Sequence, residues 1–320
     1  MASTSKHRSR SCHSPSSCYH PTVPEHLTSR PFAWDDVVPL HALMSRNWVH
    51  EDPRDQIHIG DFFWTLRVAR YGDVLGDLRV WHDPDGSLQA FAWLDPPGFG
   101  DVIVAHDASP ATLVAAIEWL EGTQRRYGEH ALSIVAPAHD RQRIDTLEQR
   151  GYKQGGGGNV RFWRTIETAP RASALPDGFS IAPVTTAHDV EQRVFVEMNS
   201  FASVGLTADA WRSVADRLPN YRRELDLLAI APAGGGASAC TCWYDEESRS
   251  GEFEAVGTAQ AYRQRGVGKA VITEGLRRLH ALGATHAIVY TTIGNTPAIA
   301  LYRSCGFEFV AEDHSWTRSL

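Results

Sequence analysis

The chain has 320 residues, 42% of them hydrophobic, enough for two globular domains of ordinary size. Its formal net charge of −7 argues against a general nucleic-acid binder and fits a cationic or neutral small substrate. No run of about 18 apolar residues occurs, so no membrane span is expected.

The first 23 residues, MASTSKHRSRSCHSPSSCYHPTV, hold three cations and no acid and lack the apolar core of a signal peptide. A transit peptide matches this composition loosely, but no amphipathic apolar face is present, and residues 1–30 read as a disordered tail. Cys12, His13, Cys18 and His20 are metal-capable, yet their spacing matches no zinc module, and no metal site is expected. The five cysteines make no disulfide framework, which points to a reducing cytoplasm.

Order is expected from about Pro31. A first mixed α/β domain covers 31–168, a linker with two prolines covers 169–178, and a second α/β domain covers 179–320. In the second domain, 190–226 reads as two helices, with Phe201, Trp211 and Tyr221 either shaping a pocket or packing in the core. DLLAIAP (226–232) reads as a strand, AGGG (233–236) as a hairpin turn, and ASACTCWYDE and GEFEAVGTA (251–259) as two further strands. Cys240 and Cys242 share one strand face and read as core, as does Cys305. A helix follows from about Gly266 to Leu282, with Val267, Val271, Ile272, Leu276 and Leu279 at helical spacing. THAIVYTT (285–292) reads as a buried strand and TPAIALYRSC (296–305) as a short helix with Pro297 in its first turn. FEFVAED and HSWTRS read as two closing strands.

The two halves look related. ALSIVAP, DRQRIDTLEQRGYKQ and VRFWRT in the first parallel HAIVYTT, TPAIALYRSCGFEF and HSWTR in the second, with Gly151-Tyr152 matching Gly306-Phe307. Strand, helix, Gly-aromatic and strand in the same order imply an internal duplication.

The stretch RQRGVGK (263–269) places glycines and cations at a helix start, where backbone N–H groups lack internal partners and favour an anion. A Walker A loop fails here, because its first glycine would be Arg263 and its Ser/Thr would be Ala270. A dinucleotide fingerprint fails at Val271. The pattern Q/R-x-x-G-x-G/A is satisfied by Arg263, Gly266 and Gly268.

That pattern, between a strand and a helix, resembles the GNAT acetyltransferase superfamily. GEFEAVGTAQAYRQRGVGKAV, NTPAIALY and RSCGF follow in the family's order, so the resemblance covers about residues 226–320. It implies two tandem GNAT-like domains, each a mixed, mostly antiparallel sheet flanked by helices. It also implies acetyl-CoA, or another acyl-CoA, as donor, with the pyrophosphate on the backbone of Gln264, Arg265, Gly266, Val267, Gly268 and Lys269. The pantetheine arm is then expected along Val256, Gly257 and Thr258, with Asn295 and Tyr302 across from it. Ala259-Gln260 departs from the pair usual before the loop, which touches turn stiffness more than ligand chemistry.

Amine acylation needs the free amine, and an ammonium with a pKa of about 10.4 is only about one part in a thousand neutral at physiological pH. A base therefore offsets roughly 4 kcal/mol, and the departing thiolate gains from an acid. By resemblance Tyr302 is the acid. Glu252 and Glu254 alternate with Phe253 and are expected on one face of the strand. Glu252 stands where family members often carry a glutamate and is favoured as the base. Glu254 lies nearer the thioester, and both acting through water is a further arrangement.

The first half's counterpart of the loop, ASPATL (108–113), has no glycine, and its Pro110 lacks a donor; its counterpart of Tyr302 is Leu147. A degenerate first repeat before an active second one resembles mycothiol synthase and related two-domain acetyltransferases, in layout more than in sequence. GGGG at 155–158 is read as a flexible hairpin. The expectation is an N-acetyltransferase acting on a small-molecule primary amine, as a monomer or homodimer, without nucleic acid or membrane. A non-catalytic acyl-CoA sensor and a protein or peptide acetyltransferase remain as alternatives.

Overall fold

The computed structural model describes residues 27–50, 57–67, 77–95, 98–201, 206–215, 217–218 and 220–320. Cys12, His13, Cys18, His20 and most of the expected tail lie outside the described residues. The first half contributes strands β1 (Thr28–Pro31), β2 (Leu78–His82), β3 (Leu88–Asp95), β4 (Phe99–Val104), β5 (Ala131–Pro137) and β6 (Lys153–Thr165). Its helices are α1 (Val37–His50), α2 (Ile59–Arg67), α3 (Pro110–Arg126) and α4 (Arg141–Gln149). The second half contributes β7 (Ser180–Pro183), β8 (Asp226–Ile230), β9 (Gly236–Asp245), β10 (Ser250–Thr258), β11 (His286–Thr292) and β12 (Glu308–Ser319). Its helices are α5 (Ala187–Phe201), α6 (Ala208–Ala215), α7 (Val267–Ala281) and α8 (Thr296–Ser304). The run β4–α3–β5–α4–β6 repeats as β10–α7–β11–α8–β12, which is the duplication legible in the sequence.

Among the described residues the strands form one mixed sheet in the order β1-β2-β3-β4-β5-β12-β6-β11-β10-β9-β8-β7. The closing strands are exchanged: β6 lies between β11 and β12, and β12 lies between β5 and β6, all antiparallel. Apolar packing accounts for both insertions. Val160 and Phe162 of β6 enter the second half's core with Val289 and Tyr302, while Trp316 of β12 enters the first half's core with Ile134 and Leu147.

Three local details differ from the sequence reading. The strand β1 begins at Thr28, inside the expected tail, because it pairs with β2. FEFVAED and HSWTRS form one strand with register shifts at Phe309–Ala311 and His314–Trp316, since β6 pairs along its whole length. Gly155–Gly158 is no hairpin but part of β6, and a Cβ on Gly158 would stand 1.9 Å from the Asp313 carbonyl oxygen. The glycine lets the two exchanged strands close up.

The alternating faces of β9 pack on different helices. Cys240 and Cys242 meet the apolar stripe of α7 (Val267, Val271, Ile272, Leu276, Leu279), and Ala239 meets Val194 and Val196 of α5. Burying each such aliphatic side chain contributes roughly 1.5–3 kcal/mol. Strands β10 and β11 pair in parallel only over Ser250–Glu252 with His286–Ile288 and then separate. That divergence opens a cleft. No helix among the described residues is long and apolar enough to cross a membrane.

Arg161 of β6 and Asp313 of β12 are buried and meet in two hydrogen bonds, Nε–Oδ2 at 2.8 Å and Nη2–Oδ1 at 2.7 Å. Removing one partner strands a buried charge. The variant Asp313→Ala is expected to lose about 3 kcal/mol of unfolding free energy, read from urea denaturation.

Candidate active site

The cleft beyond the β10–β11 pairing has a volume of about 380 Å³ and is lined by Glu254, Val256, Asn295 and Tyr302 among others. Past Glu252, β10 pairs with β9 alone, with a register shift between Phe253 and Val256, so its edge toward β11 is open. Val256, Gly257 and Thr258 pair with Cys240, Ala239 and Ser238, and Ser238 Oγ donates to the Gly257 carbonyl at 2.7 Å. Asn295 caps α8: its Oδ1 accepts from Ala298 N–H at 3.4 Å and its Nδ2 donates to Thr291 Oγ1 at 2.9 Å. The cap fixes the helix that carries Tyr302. Burial, with Glu254 nearby, pushes the Tyr302 phenol upward, so it keeps its proton.

The glycine-rich turn is built as a helix entrance. Gly266 is the residue before α7 with φ of 80°, a left-handed conformation that suits glycine. The first i→i−4 bond is from Ala270 N–H to the Gly266 carbonyl, at 3.1 Å, so the preceding N–H groups of Val267, Gly268 and Lys269 have no helical acceptor. Gly268 sits close under Thr258 and Leu301, at 3.0 and 3.5 Å from a notional Cβ. The cations are not all turned to the entrance. Arg263 Nε donates to the Thr258 carbonyl at 3.1 Å, and the Arg265 guanidinium lies 5.2 Å over the Phe179 ring. Gln264 has φ of 58° and shapes the turn. In the first half α3 starts at Pro110 after Ser109, without a glycine, and Leu147 is buried on α4 where α8 carries Tyr302.

The two glutamates part company. Glu254 lines the cleft, whereas Glu252 is 0% exposed and faces the first half. Its Oε2 lies 3.0 Å from His58 Nδ1, and its Oε1 has no hydrogen-bond partner among the described residues. Gly60 N–H donates to the same Nδ1 at 3.0 Å, so the neutral ring carries its proton on Nε2 and donates it to Ser250 Oγ at 2.9 Å. The contact with Nδ1 then needs the proton on Glu252. The environment agrees: burial, reinforced by Asp61 and Glu254, pushes the Glu252 carboxyl well above its ordinary range. Burial pulls the His58 imidazole down to about 3.

The first half also reaches the cleft directly. Asp61 of α2 lines it, with its carboxyl pushed up to about 6 by burial, and so do Asn159 of β6 and Ile57. Phe201 lines the cleft as well, while Trp211 and Tyr221 are spent in the core, Trp211 under Arg193 and Tyr221 O–H on Asp226 at 2.9 Å. His58 and Asp61 were not legible in the sequence: they stand about 190 residues from Glu252, in a stretch with no motif of its own.

A sheet that splays beside a glycine-rich helix entrance, with the same order of elements repeated once without that entrance, is the arrangement that the resemblance implied. The pattern described as "Acetyltransferase (GNAT) family" matches residues 206–307. A mycothiol acetyltransferase of Catenulispora acidiphila is 31% identical over 269 residues, covering 76% of this chain and 83% of the relative. Another, of Pseudarthrobacter chlorophenolicus, is 26% identical, covering 76% and 81%. Two solved structures share the fold: a tandem GNAT protein from the clavulanic acid biosynthesis pathway (TM-score 0.65, 15% identity, 92% of this chain and 98% of that one) and a GCN5-related N-acetyltransferase from Sphaerobacter thermophilus (TM-score 0.62, 19% identity, 93% and 97%). The chain belongs to the GNAT acetyltransferase family and is an acyl-CoA-dependent N-acyltransferase.

The Glu252–His58 pair makes a pH signature. Folded, it holds one proton, on Glu252; unfolded between about pH 4.5 and 6.5 it also holds one, on the imidazole. Folding takes up a net proton only above about pH 6.5, where stability then falls as pH rises. In Glu252→Gln that alkaline decline is expected to flatten. Folding of this variant instead expels the His58 proton below pH 6.5, so stability drops on acidification by up to about 1.4 kcal/mol per pH unit. Urea denaturation between pH 5 and 8.5 checks both arms.

Proposed function

We propose that the protein transfers the acetyl group of acetyl-CoA to a primary amine of a small molecule held in the β10–β11 cleft. The observation that carries this reading is that Glu254, Asn295, Tyr302 and the open edge of β10 face one cleft of about 380 Å³ beside the α7 entrance. The active unit is residues 179–320, with 31–168 as a degenerate repeat and 169–178 as the linker. The backbone N–H groups from Gln264 to Lys269, in the turn before α7 and in its first turn, are the place for the pyrophosphate. The backbone of Val256, Gly257 and Thr258 lies along the pantetheine arm, and Arg263 and Arg265 add positive potential near the same entrance.

The acceptor side is acidic. Asp61 and Glu254 line the cleft, which suits an ammonium over an anion, and Asp313, also in the lining, is neutralised by Arg161. The relatives' name makes a mycothiol-related amine the first acceptor to test. Glu254, at the cleft, is the base that takes a proton from the ammonium and frees the lone pair for the thioester carbonyl, while Glu252, behind it and already protonated, accepts a proton only as it gives its own away. Tyr302 O–H gives its proton to the sulfur as the C–S bond breaks. Its raised pKa keeps that proton available until the thiolate forms.

Thiol release from acetyl-CoA with a panel of amines tests the function; tight binding of acetyl-CoA with no turnover on any amine would favour a sensor instead. Tyr302→Phe is expected to lower kcat by about 10²-fold or more while leaving KM for acetyl-CoA little changed. An unchanged rate removes the acid assignment. Gly268→Glu places a carboxylate at the helix entrance and is expected to raise KM for acetyl-CoA by about tenfold or more, and KM for the amine far less. Equal effects on both count against the pyrophosphate position.

A further inference from the structure

We propose that Glu252 is the inner end of a proton relay that crosses from the cleft, through His58, Ser250, Ser248 and Asp245, to the surface at His41. This rests on the acetyl-transfer reading only for the origin of the proton.

The chain is continuous in hydrogen bonds. Glu252 Oε2 meets His58 Nδ1 at 3.0 Å, His58 Nε2 meets Ser250 Oγ at 2.9 Å, and Ser250 Oγ meets Ser248 Oγ at 2.5 Å. Ser248 Oγ donates to Asp245 Oδ2, and Asp245 Oδ1 meets His41 Nε2 at 2.8 Å. Its ends differ in the way a conduit requires. Glu252 and His58 have side chains 0% and 1% exposed, whereas the His41 side chain is 22% exposed. Its direction is fixed as well. Gly60 N–H on His58 Nδ1 sets the ring proton on Nε2, so each group from Glu252 onward donates toward Asp245. Asp245 is the terminal acceptor: despite burial, hydrogen bonds from His41 and Ser248 hold its carboxyl below the usual range.

Amine acetylation releases one proton overall, because the ammonium loses two while the departing sulfur regains one. With donor and acceptor bound in the cleft, that proton needs a way out. Glu252 supplies it as a neutral carboxyl: the unpartnered Oε1 accepts the proton taken up in the cleft, across water, while Oε2 yields its own to His58 Nδ1. His58 passes its Nε2 proton to Ser250, Ser250 passes one to Ser248, and Ser248 passes one to Asp245. The Asp245–His41 pair, now one proton richer, returns it to water through the exposed ring. Asp61 and Glu254 are the charged groups nearest Glu252, and both line the cleft where the proton enters. A purely structural network would not need an unpartnered oxygen at one end and an exposed imidazole at the other.

Infrared spectroscopy of the full chain tests the relay without turnover. The carboxylic-acid C=O band that disappears in Glu252→Gln belongs to Glu252, and its shift after transfer to D2O times the exchange of that proton. Exchange is expected to be slowed about tenfold or more in Ser250→Ala, to recover in Ser250→Thr, and to be slowed also in His41→Gln, which acts at the far, exposed end. Turnover with acetyl-CoA and the best amine of the panel should show kcat lowered about tenfold in Ser250→Ala with both KM values unchanged. Absence of a Glu252 acid band, or equal exchange in wild type and Ser250→Ala, overturns the relay. A wild type that acetylates no amine defeats the acetyl-transfer reading, and the exchange rates still decide the relay.

Discussion

Arg161 and Asp313 face each other across the two exchanged strands, and their paired hydrogen bonds fix how β6 and β12 lie against one another. A guanidinium and a carboxylate joined by two parallel bonds tolerate no slip in register. The pair is buried, so any arrangement that separated it would leave a charge without water. Because β6 also pairs with β11, and β12 with β5, this one contact sets the relation of both half-sheets. The cleft inherits that setting. Asp313 itself lines it beside Glu254 and Tyr302, and Tyr302 packs at 6.1 Å from Phe162 of the exchanged strand.

Simple strand alternation gives Glu252 and Glu254 one face and therefore one environment. The register shift after Phe253 breaks that symmetry at the point where β10 leaves β11. Glu254 stays with the open cleft. Glu252 is sealed beneath α2, so tightly that a Cβ on Gly60 would stand 2.4 Å from its Oε2. Two carboxyl groups two residues apart thus sit in different surroundings, one lining the cleft and one sealed from it.

What the sequence made legible was local. The helix entrance at Gly266 and Gly268, the cap at Asn295, the tyrosine at 302 and the order of elements all follow from short-range chemistry: a left-handed glycine, an orphan N–H, a 3.6-residue stripe. The match of Gly151-Tyr152 with Gly306-Phe307 even exposed the duplication. The rest depends on distant partners. Gly155–Gly158 looks like a turn in isolation and becomes strand only because β12 needs its backbone close. The strand at Thr28 exists through β2, and the buried Glu252 finds its partner in His58, 194 residues away. No periodicity or spacing carries such information.

The first half is the clearest case of function without a motif. It lacks the glycine entrance and the tyrosine, which by sequence alone leaves it looking like an idle repeat. Yet it supplies β6 to the second half's sheet, Asp61 and Asn159 to the cleft, and His58 behind Glu252. His41 from the same half meets Asp245 at the far end of β9. Asp61, Asn159 and His41 are on a helix or strand packed against the second half, and His58, fully buried, immediately precedes α2, so the geometry is held by the core. The first copy therefore contributes to the cleft through surfaces that touch the other copy, without the glycine entrance or the tyrosine. Those contacts place Asp61 and Asn159 in the cleft and His58 on Glu252, which the second half's own strands and helices do not supply.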